Sequence, residues 1–254
     1  MKLIMFSRVL LTALAVILFG CEKRNEETVT LKLKFVSGEV DRVFVSSSTT
    51  GQMKIQNVTQ MSFTIDSVKE NKNVINAKVL RISSETDMFG EKESYDSRRN
   101  IEDMTEDEKE MHLEFKDVLD KSFVFSIDNK GNVLENFKDK LTNSPSEEVV
   151  DVSNIFIPFP DEPVKIGSEW KRERINSFTK GKTISTYKVT NITDTEIIIS
   201  IVSEIGEIGG VLAKNTAKGE YVLDKKTCKL KTGEFMMDLQ VGGGKAEFKF
   251  AMQK

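Results

Sequence analysis

The sequence predicts a mainly β protein: a single, strongly curved antiparallel sheet, half-barrel-like, with a small helical insert. Three observations predict it. Apolar and polar residues alternate with period two along most of the chain, which marks strands with one wet face. All four prolines, Pro145, Pro158, Pro160 and Pro163, fall in one central region, so the predicted strands are free of the residue that breaks ladders. The one stretch with helical spacing and a capping signal lies between two runs of strands, where it can sit in the hollow of the sheet.

The chain opens with a segment that does not belong to the sheet. Lys2 and Arg8 precede the apolar run Val9 to Phe19, and Gly20 and Cys21 end it. A basic start, about a dozen apolar residues and a small residue at the break read as a secretory leader, whereas a membrane span needs about 20. Leu18, Phe19, Gly20 and Cys21 resemble the lipobox of bacterial lipoproteins. The resemblance implies that residues 1–20 are removed as a signal peptide and that Cys21 becomes a lipidated N-terminus carrying palmitate or similar acyl chains. Residues 22–27 are a short polar tether, and 28–254 form a single domain with its helical insert at about 100–160.

The strands follow in order. Val29, Leu31, Leu33 and Phe35 alternate with Thr30, Lys32 and Lys34. Met61, Phe63 and Ile65 form a second apolar face, and Ile75, Ala77 and Val79 a third. Thr105 and Glu108 then form a capping box ahead of Met111, Phe115, Val118 and Leu119, spaced for one face of a helix. Phe123, Phe125 and Ile127 run into the turn signal Asp128 to Gly131. A second short helix is expected after Ser144, with Pro145 in its first turn, ending near Asn154. Tyr187 and Val189 continue the alternation, and the isoleucine-rich run Ile197 to Val202 predicts a strand covered on both faces. Phe235, Met237, Leu239 and Val241, then Ala246, Phe248 and Phe250, complete the sheet, with Gly242 to Gly244 as a hairpin tip.

Pro160, Pro163, Val164, Gly167 and Trp170 form P-x-x-P-V-x-x-G-x-x-W. This motif resembles the approach to the C-terminal sheet in a family of bacterial lipoproteins of unknown function. Tyr95 to Ser97, the hairpin Asn129 to Val133, and Gly219 to Leu230 with Asp224 and Thr227 resemble the same family's other landmarks. Where such proteins carry a turn glycine after the threonine, this chain has Cys228. The resemblance implies a curved sheet similar in shape to the half-barrels of lipoprotein-localisation factors, and it implies no catalytic residue.

Composition narrows the function classes. The chain has 37 Lys and Arg against 40 Asp and Glu, a net charge of −3, which the loss of Lys2 and Arg8 with the leader takes to −5. Charges alternate with apolar residues instead of clustering, which argues against nucleic-acid binding. His112 is the one histidine, and no G-x-S-x-G elbow accompanies it. Two cysteines and one histidine cannot supply a zinc site of the usual kind. The acidic run at Glu102, Asp103, Glu106 and Asp107 reads as a helix start favoured by the macrodipole. No catalytic residue, metal or cofactor is expected, and with Cys21 lipidated Cys228 has no partner within the chain.

Phe35, Met61, Phe63, Trp170, Phe235, Met237, Phe248 and Phe250 are the candidate ligand-facing residues, because phenylalanine and methionine make adaptable walls for apolar ligands. The same residues would serve equally as core beneath the insert. The expectation is a non-enzymatic lipoprotein of the cell envelope, held by its lipid at the outer membrane facing the periplasm or at the cell surface. Its sheet would bind a hydrophobic ligand or an envelope protein. The alternative is a structural or accessory subunit of an envelope complex with no ligand pocket.

Overall fold

The computed structural model describes residues 27–51, 53–119, 121–135, 155–175, 182–206, 215–239 and 244–254. The leader, Cys21, residues 22–26, the helix expected after Ser144, and Gly242 and Gly243 lie outside the described residues.

The strands are β1 (Val40–Thr49), β2 (Met53–Lys69), β3 (Lys72–Met88), β4 (Glu91–Asp96), β5 (Ser122–Ile127) and β6 (Val133–Glu135) in the first run. After the insert come β7 (Glu169–Ile175), β8 (Lys182–Ile192), β9 (Glu196–Ile205), β10 (Asn215–Asp224), β11 (Leu230–Asp238) and β12 (Lys245–Gln253). All twelve form one open antiparallel sheet in the order β6-β5-β3-β2-β1-β12-β11-β10-β9-β8-β7, with β4 paired to the far half of β3. The last strand pairs with the first, Val45 opposite Phe250, so the two runs of meander are joined side by side.

Residues directly opposite in an antiparallel pair share a face. Following the register from Phe125 through Ile75, Ile65 and Phe63 to Asp41 and Val43, and from Phe250 to Gly233, Tyr221, Ile199 and Val189, traces one inner face across the sheet. This face carries the core, including Phe63, Ile65, Ile75, Phe125, Ile197, Ile199 and Val189.

Two extended segments show how far the sheet rolls. Leu33 donates its N–H to Asn129 O in the β5–β6 turn (2.9 Å), and the next residue, Lys34, donates to Thr227 O in the β10–β11 turn (2.9 Å). In a flat sheet those turns, six strand positions apart, would be about 29 Å from each other. The second segment, 155–164, ties the two outermost regions together. Phe159 donates its N–H to Lys130 O (2.7 Å), while Trp170, Arg172 and Arg174 of β7 donate side-chain N–H groups to Pro158, Phe159 and Phe156 carbonyls at 2.8–2.9 Å. The open, curved sheet is therefore present, half-barrel-like as the resemblance implied, with residues 28–36 plugging one end and 155–164 strapped across the gap.

The strap requires Gly131. Its φ is +81°, and a Cβ there would lie 2.0 Å from Ile157 O, so only glycine permits the approach. Phe156 then packs on Phe63 and Phe125, ring centroids 6.2 and 5.9 Å away.

The first helix of the insert is shorter than expected. A 3-10 turn at Ile101–Asp103 leads to α1 (Glu106–Phe115), whose capping box is formed as predicted. Thr105 Oγ1 accepts from Glu108 N–H (3.3 Å), Glu108 Oε2 accepts from Thr105 N–H (2.8 Å), and Arg99 pairs with the same carboxylate. The helix ends at Phe115, and the predicted stripe residues Val118 and Leu119 lie beyond it, Val118 fully buried. Strands β5 and β6 follow, where the alternation at Phe123 to Ile127 and the turn signal Asp128 to Gly131 predict a hairpin.

Two strand expectations are corrected. Residues 29–35 bury Leu31, Leu33 and Phe35 in alternation but join no ladder beyond a single Val29–Val164 bridge. The alternation there comes from lying across the end of a rolled sheet, one side on the core and one in water. In β9 one face alone is buried: Ile197, Ile199 and Ile201 are inside, while Ile198 is half-buried and Val202 is exposed. β-Branched residues suit a strand's pleat on either face, so the composition overstated the burial.

Candidate functional site

The inner face has two halves. The half next to the plug is filled: Leu31, Leu33 and Phe35 descend from 28–36, Phe156 and Phe159 from the strap, and Trp170 seals the β7 side. The Trp170 ring stacks on Tyr187 at 5.3 Å and 10°, and its Nε1–H donates to Pro158 O at 2.9 Å. Burial pushes the Tyr187 hydroxyl pKa up, and pushes that of fully buried Tyr221 further in the same direction. These phenols stay neutral and act as packing.

The far half carries Val45, Ser47 and Thr49 of β1, opposite Phe250, Phe248 and Ala246 of β12, with Phe235 and Met237 next in register on β11. Phe250 and Ala246 are buried, and the other positions are only partly covered. Phe248 is 38% exposed, and Phe235, Met237, Val45, Ser47 and Thr49 are half-buried. Phe235 stands edge-on to both Tyr221 (4.9 Å) and Phe250 (5.7 Å), which fixes its ring as part of a wall.

The eight candidate residues therefore divide. Phe35, Met61, Phe63, Trp170 and Phe250 are at most 9% exposed and belong to the core; of these, Phe35 comes from the plug and is no part of the sheet. Phe235, Met237 and Phe248 stand together in the accessible half of the inner face. The division has a simple cause: alternation places a residue on a face, while the segments that cover the face come from elsewhere in the chain.

Sequence reasoning missed a buried charge cluster. Lys229 Nζ lies 2.7 Å from both Glu39 Oε2 and Asp41 Oδ2, and 5.0 Å from the centre of the Phe35 ring. The Lys229 and Asp41 side chains are only 6% and 2% exposed. Burial raises the Glu39 carboxyl pKa, but the hydrogen bonds and charges of Lys229 and Lys254 outweigh it and hold the group below its ordinary value. The available signal was Asp41, which shares the inward parity of Val43 and Val45.

Cys228 adopts φ +55°, the left-handed conformation that the glycine of similar hairpins would favour. Asp224 holds the turn by accepting from Thr227 N–H (2.8 Å) and Oγ1–H (2.6 Å). The thiol is buried and its pKa is raised, chiefly by loss of water. A protonated, covered thiol is a poor nucleophile. His112 Nδ1 is 3.1 Å from Tyr95 Oη, in a contact that seats α1 on the sheet. Burial, with Asp96 adding to it, pushes the Tyr95 pKa up to about 12. Among the described residues no three His, Cys, Asp or Glu side chains are grouped to hold a metal ion, and no helix is long and apolar enough to cross a membrane.

Two shallow depressions lie away from the inner face. One, of about 410 Å³, is on the outer face between Phe44, Val222, Glu234 and Lys249; the other, of about 480 Å³, lies by Lys32, Asn71, Asn129 and Leu134.

A distant structural likeness exists to a DUF1329 family protein from Desulfovibrio piger, at 7% identity and a TM-score of 0.22 over 85% of each chain. No curated protein matches the sequence. Residues 134–229, from β6 through the strap and the P-x-x-P-V-x-x-G-x-x-W motif to Lys229, match the model of a family of unknown function, DUF6263.

Proposed function

We propose that this chain is a non-enzymatic envelope lipoprotein, anchored through acyl chains on Cys21, whose half-barrel binds an apolar ligand in the partly exposed half of its inner face. The observation that carries the reading is the adjacency of Phe235, Met237 and Phe248 on that face, partly open to solvent beside the hydroxyls of Ser47 and Thr49. Monomeric proteins seldom leave large apolar side chains grouped on a concave surface without a use for them. The hydroxyls would suit the polar end of an amphipathic molecule such as a fatty acid. Two or more acyl chains on Cys21 suffice for stable attachment where one is marginal.

Native mass spectrometry of the gently extracted mature protein tests both parts. The expected spectrum has the added mass of a diacylglyceryl group at Cys21 and a further non-covalent lipid that leaves on activation. Acylated protein that repeatedly carries no lipid would overturn the ligand reading.

A second reading, an accessory subunit of an envelope complex, is favoured by the filled half of the hollow, where Phe63, Phe125, Phe156 and Trp170 occupy the interior. Under it the same extraction yields a stoichiometric protein partner and no lipid.

A further inference from the structure

We propose that the plugged end of the half-barrel is the surface this protein lays against its own membrane, so that the partly exposed half of the hollow faces away from the bilayer. The inference rests on the acylation of Cys21 proposed above.

The chain enters the fold at the plugged end. Glu27 pairs with Lys225 beyond β10 (2.5 Å), and Val29 and Val164 exchange N–H···O bonds of 2.8 Å in both directions. Cys21 lies six residues before Glu27, and six residues reach at most about 20 Å when fully extended. Roughly 6 Å of that is spent crossing the headgroup layer of one leaflet. The region around Glu27 is thus held within about 15 Å of the headgroups. The far end of the sheet is remote: the 17 residues of β3 span about 55 Å from Lys72 to the β3–β4 hairpin, where Phe89 is 87% exposed.

The plugged end also has a surface suited to lipid. Val36 and Ile166 project from loops on it, 67% and 57% exposed. Lys32, Lys34, Lys165 and Lys226 are exposed around them, with long stems that can lie along an apolar boundary while the ammonium stays in water. Asp161, Glu162 and Asp194 are exposed on the same end, so the surface is of mixed charge and its contact does not depend on anionic lipid. A ligand in the far half, beside Phe235 and Phe248, would then be exchanged across the aqueous side and not drawn directly from the anchoring leaflet.

The test uses mature, acylated protein in phosphatidylcholine vesicles containing a headgroup nitroxide lipid. Separate variants Val36→Cys, Ile166→Cys and Phe89→Cys each carry one fluorophore; all three positions are exposed, so the fold should tolerate them. The expected result is strong quenching at Val36 and Ile166 and almost none at Phe89, unchanged when a fifth of the lipid is phosphatidylglycerol. Quenching at Phe89 equal to that at Val36, on protein that floats with the vesicles, would overturn the orientation alone. Protein that stays in the aqueous fraction and lacks acyl mass would overturn the anchoring, and the orientation with it.

Discussion

Replacing Lys229 with methionine removes the only cation within reach of Asp41 among the contacts described, and the size of the loss follows from burial. Asp41 is 2% exposed, so water cannot replace the ammonium now 2.7 Å from its Oδ2. Breaking a buried ion pair from one side costs about 3–5 kcal/mol, because it strands a charge in low dielectric. The lost contact with the Phe35 ring, 5.0 Å from Nζ, adds to this at the point where the plug meets the β10–β11 turn. For a domain of this size, a loss of 3–5 kcal/mol corresponds to a fall in Tm of roughly 6–20 °C. Urea unfolding followed by tryptophan fluorescence reports it directly, since Trp170 is the chain's one tryptophan and is buried. The midpoint should fall with the slope unchanged. The double variant Lys229→Met, Asp41→Leu should recover most of the loss, since a packed apolar pair of similar volume is often neutral or better. A single variant that loses less than about 1 kcal/mol, or a double variant whose losses simply add, would contradict a buried ion pair between Lys229 and Asp41.

Four further outcomes follow from the same contacts. Gly131→Ala should destabilise the protein and raise protease cleavage in residues 155–164, because its Cβ would meet Ile157 O; intact protein with wild-type stability would contradict the strap. Phe63→Asp should prevent folding while Phe248→Asp should leave the circular dichroism spectrum and Tm nearly unchanged, since the first is 1% and the second 38% exposed. Asp96 is held below its ordinary pKa mainly by the hydrogen bond from Arg81, and Asp224 by that from Thr227, so each prefers to be charged in the fold. Their stabilisation is complete above the unfolded carboxylate value, about 4, and is lost as pH falls through the lower folded values, so urea midpoints should be flat near neutrality and drop below about pH 4. Cys228 should react with a maleimide only after denaturation, and labelling at the rate of a free thiol in native protein would contradict its burial.

The sheet was legible because alternation is a local property. Met61, Phe63 and Ile65, or Ile75, Ala77 and Val79, declare a face from their own spacing, and each proves at most 1% exposed. The capping box at Thr105 was legible for the same reason, since both partners lie within four residues. What covers a face was not legible. That Leu33 and Lys34 would bond to turns on opposite sides of the roll, or that Phe156 would reach Phe63, depends on chain returning from far along the sequence. The same limit divided the candidate residues: Phe63 and Phe235 look alike in sequence, and only the strap and plug make one of them core. The Lys229 cluster joins residues 188 and 190 positions apart, and no local pattern announces a pairing at that distance.

The half of the inner face around Phe235, Met237 and Phe248 is proposed as the seat of an apolar ligand. Titration of mature protein with a fluorescent fatty acid whose emission rises in apolar surroundings tests it most directly, with Phe248→Asp as the matched control. Saturable, near-stoichiometric binding is expected, and the variant should abolish it while remaining folded. Absence of saturable binding, or equal binding by the variant, would contradict it.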